Sequence, residues 1–218
     1  MSFILKQDSS TWAQEAAGEL ELLESYFKAQ EQSVETLFLN YKDRAVEHEI
    51  GDDEHVDVVT VVDGLDDHTW HLPSIYEEYF PNLHRKSHLV TLCIFLEDQL
   101  QILCARIKEE RQLRVSVGDL RLQGIPRAVN YLTKVAGVRI NRGNNTYQHI
   151  NGLRLARNMI VHNNGRIDPQ PSPLRNYVEN HGILEGDEIV VSAEFVTKSL
   201  RVVANWLRLI GQAIREQS

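Results

Sequence analysis

The chain has 218 residues, enough for one domain with a substantial core. Its 42% hydrophobic and 25% charged residues suit a folded globular protein rather than a disordered or fibrous one. The net charge of −8 argues against non-specific binding of nucleic acid over the whole surface. No apolar run looks long enough to cross a bilayer, and Met1–Asp8 does not read as a signal peptide.

Residues 9–49 read as one long helix that starts near Ser9-Ser10-Thr11, with Ser10 or Thr11 as its cap. Leu20, Phe27, Val34 and Tyr41 recur every seven residues, and Leu23, Gln30, Leu37 and Arg44 fill the second heptad position. The polar residues in that second row make this an amphipathic helix lying on the core or on a partner, not a coiled coil. Gly51-Asp52-Asp53-Glu54 is a break. His55–Val62 is rich in Val and reads as a strand, with His68–Leu72 as its return across the Gly64–Asp67 turn. Pro73 and Pro81 bracket a short helix, Ser74–Phe80, whose Tyr76, Tyr79 and Phe80 face inward.

Residues 83–113 form the second long helix, with Leu89, Leu92, Cys93, Leu96, Leu100, Leu103 and Ile107 at helical spacing. Cys93 and Cys104, the two cysteines, lie 11 residues apart on it. That separation puts their Cα atoms about 16 Å apart, too far for a disulfide, so both read as reduced core residues suited to the cytoplasm. Ile125–Val135 is a third helix with Pro126 in its first turn. The loop 137–145 leads into a helix over Tyr147–His162, which ends at Asn163-Asn164-Gly165, with Gly165 as the left-handed residue closing the last turn. After Pro169, Pro171 and Pro173 come a helical turn at Leu174–Asn180, a hairpin over Gly182–Ser192 and a final helix, Ala193–Arg215. The sum is a mainly α fold: a helical bundle with a long N-terminal helix and one or two small β-hairpins. Residues 1–82 form an acidic extension and 83–218 a helical domain, together one compact unit.

Charge is unevenly placed. Residues 1–80 hold 4 Lys/Arg against 19 Asp/Glu, whereas residues 121–175 hold 9 Lys/Arg and 1 Asp. A basic segment can attract phosphates on a protein whose total charge is negative, although solvated helix faces give the same count.

The basic segment surrounds Asn151–Gly165, read N-G-L-R-L-A-R-N-M-I-V-H-N-N-G. Leu153, Ala156, Ile160 and Val161 supply an apolar face. Arg157 and His162 lie about 7.5 Å apart along the axis and roughly 140° apart around it, and the last turn holding His162 is where the helix dipole favours positive charge. Arg and His at comparable spacing recur as Arg142…His149 and Arg175…His181. Only the Arg157 match has Asn directly after Arg, apolar filling and the Asn-Asn-Gly ending.

The run Arg157-Asn158-x-x-x-His162 resembles the signature of the HEPN superfamily, small helical domains with Arg, a polar residue and His near the end of a core helix. The resemblance covers roughly residues 84–215. It implies an HEPN-like helical bundle and, for many members, a metal-independent endoribonuclease of toxin–antitoxin or phage-defence systems that works as a homodimer. Arg157 would then stabilise phosphoryl charge and His162 act as general acid or base, with Asn158 positioning the His from one turn away. Some such proteins carry an acid on the facing helix; Glu97 is the candidate, through a bidentate contact to Arg157. Arg154, Arg166, Arg139 and Arg142 are candidate RNA contacts. The expected partners are RNA, a second copy and an antitoxin or regulatory protein, with no membrane. Asn164 stands where some HEPN toxins carry a modifiable Tyr, so control at that position is not expected.

Plainer roles compete. His162 can bond a terminal carbonyl of its helix, and Arg157 can simply pair with Glu97 or another core acid. The alternative function is accordingly a non-catalytic HEPN-like module that binds RNA or a protein. No cofactor or metal is expected. His84 and His88 are one helical turn apart but lack a clear third ligand, with His68 and His71 in a separate loop. There is no Walker loop, dinucleotide fingerprint or nucleophile elbow.

Overall fold

The computed structural model describes residues 8–51 and 55–217. The leader reading at Met1–Asp8, apart from Asp8, and the break at Asp52–Glu54 lie outside the described residues. The fold is mainly helical, with six α-helices and two small antiparallel sheets among the described residues: α1 Trp12–Val34, β1 Val46–Gly51, β2 Val56–Val62, β3 Leu65–Asp66, α2 Phe80–Glu110, α3 Gly124–Asn130, α4 Asn145–Asn163, α5 Pro173–Asn180, β4 Leu184–Glu185, β5 Glu188–Ile189 and α6 Ala193–Arg215.

Helix α2 is the axis of the core. Leu89, Leu92, Cys93, Leu96, Leu100, Leu103 and Ile107 are all buried, and α1, α3, α4 and α6 pack around it. Burial pushes both free thiols, Cys93 and Cys104, up to about 12, so they behave as apolar residues. The run Ser74–Glu110 is also long and apolar enough to span a bilayer, with a mean hydropathy of 1.3 over 18 residues, half of that window being buried in the fold. The expectation that no such run exists was mistaken, because Glu97 and Asp98 interrupt the apolar residues of this helix without lowering its mean hydropathy enough. Pro81 does not divide the helix. It lies at the start of α2, where the missing N–H matters least, and the widened π-type turn at Ser74–Tyr79 absorbs the lost bond.

The first seven-residue row is buried throughout, at Leu20, Phe27, Val34 and Tyr41. The helix itself stops at Val34, passes through a π-type turn and a 3-10 turn, and becomes strand β1. The partner of the Val-rich strand is therefore β1, in register Val46↔Val61 to Gly51↔Val56; the expected return at 68–72 forms no strand, and the two-residue β3 lies at Leu65–Asp66, inside the expected turn. Val-Glu-His-Glu-Ile shows no strong strand composition; β2 recruits it, since a lone strand is not stable. Gly51 has φ +129° and a Cβ there would overlap the His55 carbonyl, so glycine is required at that end of the hairpin.

Apolar residues fall in two clusters. The main core takes α1 up to Phe27 together with α2, α3, α4, α5 and α6. A smaller one joins Tyr41, Val62, Leu72 and Tyr76 under the hairpin. The acids of α1 meet cations of α2: Arg85 with Glu31 at 3.0 Å and Arg106 with Glu15 at 2.6 Å.

Candidate functional site

Helix α4 is set up at both ends. The Asn144 side chain accepts from the Tyr147 N–H and caps the start. At the other end, Asn164 is the left-handed residue at φ +52°, followed by Gly165 at +84°, so the turn needs both residues and not the glycine alone. The N–H groups of Asn164 and Gly165 both return to the Met159 carbonyl. Buried Lys86 of α2 sits beneath this turn. Its ammonium donates to Glu188 at 2.6 Å and reaches the Asn164 carbonyl at 3.4 Å, placing a cation at the negative end of the helix.

Arg157 is half-buried between α4 and α2. Its guanidinium donates to Glu97 Oε2 at 3.2 Å and to Asn158 Oδ1 at 3.1 Å. The Glu97 contact is single, not the expected bidentate fork. Asn158 is engaged by its neighbour Arg157 and has no bond to His162, so the expected support of the imidazole by Asn158 is corrected. The 140° between Arg157 and His162 has the same effect: Arg157 turns toward α2 while His162 lies on the exposed side. His162 makes no hydrogen bond or ion pair with any described residue, so neither the carbonyl contact nor any other bond fixes it; Lys86 serves the helix end instead. Val161, expected in the apolar face, is 51% exposed, and Ile94 of α2, one turn before Glu97, is 55% exposed.

The four candidate arginines are spread along α4. Arg142 lies two residues before the N-cap, where it donates to Asn130 and Thr133, and Arg139 is nearby in sequence. Arg166 follows the C-terminal turn, about 27 Å away along the helix. Arg154 is midway and donates to Asn151 at 2.9 Å. None of the four makes an ion pair with a described residue.

A second constellation went unread in the sequence. Between α4, α5 and α6 opens a cleft of about 630 Å³. Its floor is the Tyr177 ring lying directly on the α4 backbone at Gly152, where a Cβ would overlap the ring carbons. Beside it, His149 Nδ1 is 3.1 Å from His181 Nε2, and the Tyr177 hydroxyl is 3.4 Å from the same Nδ1. His181 Nδ1 faces the Tyr177 carbonyl at 2.8 Å and so must carry a hydrogen. Burial, then His181, then Lys198 hold His149 down at about 4, and burial holds the Tyr177 hydroxyl well above its ordinary value. The available signal was a glycine in mid-helix, which asks for a close approach, next to His149, which had looked like part of a chance Arg…His pair.

His84 and His88 stand edge to face on α2, and His88, stacked 4.1 Å from Phe27, is pushed down by burial to about 4. The described residues hold no group of three or more His, Cys, Asp or Glu placed for a metal.

Comparison of the chain with family models, curated proteins and solved structures returned no match.

Proposed function

We propose that this protein is a metal-independent endoribonuclease of HEPN type that acts as a homodimer on cytoplasmic RNA, in toxin–antitoxin control or phage defence. The observation that carries this reading is that α4 holds both Arg157, oriented by Glu97 of α2 and by Asn158, and an uncommitted His162. Cleavage of RNA without a metal needs a base for the 2′-hydroxyl, an acid for the leaving 5′-oxygen and a cation for the phosphoryl oxygens. Arg157 has the fork geometry for the last role, and the acid beside it limits its motion. His162 is uncommitted, and an imidazole can serve as either general acid or general base.

One chain supplies one such imidazole. A twofold axis beside α4 would bring in a second His162 and let each Arg157 act with both. Exposed Ile94 and Val161 flank the ion pair, as expected of a surface covered by another copy. Arg154 and Arg166 lie closest in sequence to the motif for phosphate contact, with Arg139 and Arg142 along the strand's path.

One observation favours the non-catalytic module as a second reading: Arg157 is already paired with Glu97 and points away from His162. The test is cleavage of pooled tRNA and mRNA in EDTA by the wild type, Arg157→Ala and His162→Ala. The nuclease reading expects cyclic-phosphate ends from the wild type and loss of cleavage in both variants. Binding of RNA by a dimer that never cuts it would favour the module.

A further inference from the structure

The cleft between α4, α5 and α6 lies on a different flank of α4 from Arg157, and the proposed nuclease reaction makes no use of it. Its volume, about 630 Å³, is in the range of small-molecule sites. None of its 14 lining residues is Asp or Glu, although 31 of the 218 residues of the chain are. A depression of the same volume between Ser74–Arg85 and the β4–β5 hairpin is lined by four glutamates, Glu77, Glu78, Glu185 and Glu188. The acid-free cleft is thus not a general property of the surface.

Its polar groups are left over from the fold. Among the described residues Lys198 of α6 has no ion-pair partner, and the carboxamides of Asn145, Asn176 and Asn180 make no hydrogen bond. The Tyr177 hydroxyl adds one more donor. Among the described residues it meets only His149 Nδ1, at 3.4 Å, a long and weak contact that a ligand oxygen in the cleft can replace. An ammonium, a phenol O–H and three amides, with no carboxylate among them, form a donor-rich site suited to an oxyanion on a hydrogen-bonding body.

We propose that this cleft binds a small polyhydroxylated organic anion, a phosphate monoester or a carboxylate, with Lys198 and Tyr177 holding the oxyanion and Asn145, Asn176 and Asn180 the hydroxyls. The reading is independent of the nuclease and is tested without RNA, so the two can fail separately.

The experiment is titration calorimetry of the full chain with ribose 5-phosphate and with gluconate, against ribose and inorganic phosphate as controls. The proposal expects saturable binding of one probe per chain, with ribose weaker by about tenfold or more because it lacks the charge. Which of the two probes binds distinguishes the phosphate from the carboxylate. Lys198→Gln should weaken binding about tenfold and Tyr177→Phe about three- to tenfold, each with an unchanged circular dichroism spectrum. Absence of saturable binding by either probe, or equal affinity in folded Lys198→Gln, would overturn the proposal.

Discussion

On its α2 side, α4 presents Arg157 to Glu97 as a pair whose side chains remain 21% and 25% exposed. On its α5 side, the same helix presents Gly152 to the Tyr177 ring and buries His149, 6% exposed, as a neutral imidazole. A half-exposed ion pair contributes little to stability, because Coulomb attraction there is screened and two long side chains must be ordered. Close packing with neutral hydrogen bonds contributes much more, since nothing can move aside without loss. The two flanks therefore divide the work: one orients a cation at modest energetic cost, the other fixes α5 and α6 against the helix.

The largest effect belongs to the packed flank. Gly152→Ala places a methyl group in the Tyr177 ring and should cost about 3 kcal/mol, the upper part of the range for overpacking, seen as a fall in the denaturant midpoint. An unchanged midpoint would mean that α5 does not rest on α4 as described.

Acid comes next. His149 titrates at about 4 in the fold against 6.5 ordinarily. The unfolded chain therefore takes up the proton first as pH falls. Stability that is complete above pH 6.5 is lost progressively toward pH 4, by about 2 kcal/mol near pH 5. His88, at about 4 through its burial against Phe27, adds a second loss of the same sign. Thermal melts between pH 7 and pH 4.5 measure the sum, and His88→Phe should flatten the dependence. A pH profile identical in that variant would show that His88 does not stay neutral in the fold.

The smallest change in stability is on the charged flank. Glu97→Gln should cost about 1 kcal/mol or less. Under the nuclease reading it should still slow RNA cleavage by about tenfold or more, because the guanidinium loses its orientation. A large loss of stability with unaltered cleavage would reverse the roles assigned to the two flanks.

What the sequence disclosed follows from the strength of its periodic signal. Helix α6 was expected at Ala193–Arg215 and lies there, because Phe195, Leu200, Val203, Trp206, Leu207 and Ile210 mark one apolar stripe between a Ser192 cap and a basic last turn. The motif helix was legible within two residues at each end for the same reason. Residues 35–51 were not. Their leucines and Tyr41 continue a helical row, and it is pairing with the next strand, β2, that draws residues 46–51 out of that row into a strand. Among the site residues, contact between Glu97 and Arg157 was suggested by the family resemblance, which implies an acid on the facing helix. Local geometry could not disclose the Tyr177–His149–His181 cluster, whose members come from two helices and the turn after one of them, or Lys86 bonded to residues 78 and 102 positions away.

The most direct measurement is RNA cleavage in EDTA by the purified protein, with Arg157→Ala and His162→Ala beside it. The account predicts cyclic-phosphate products from the wild type and none from either variant, with the fold of both intact. Cleavage that persists in His162→Ala, or a stable wild-type dimer that binds RNA and leaves it whole, would contradict it.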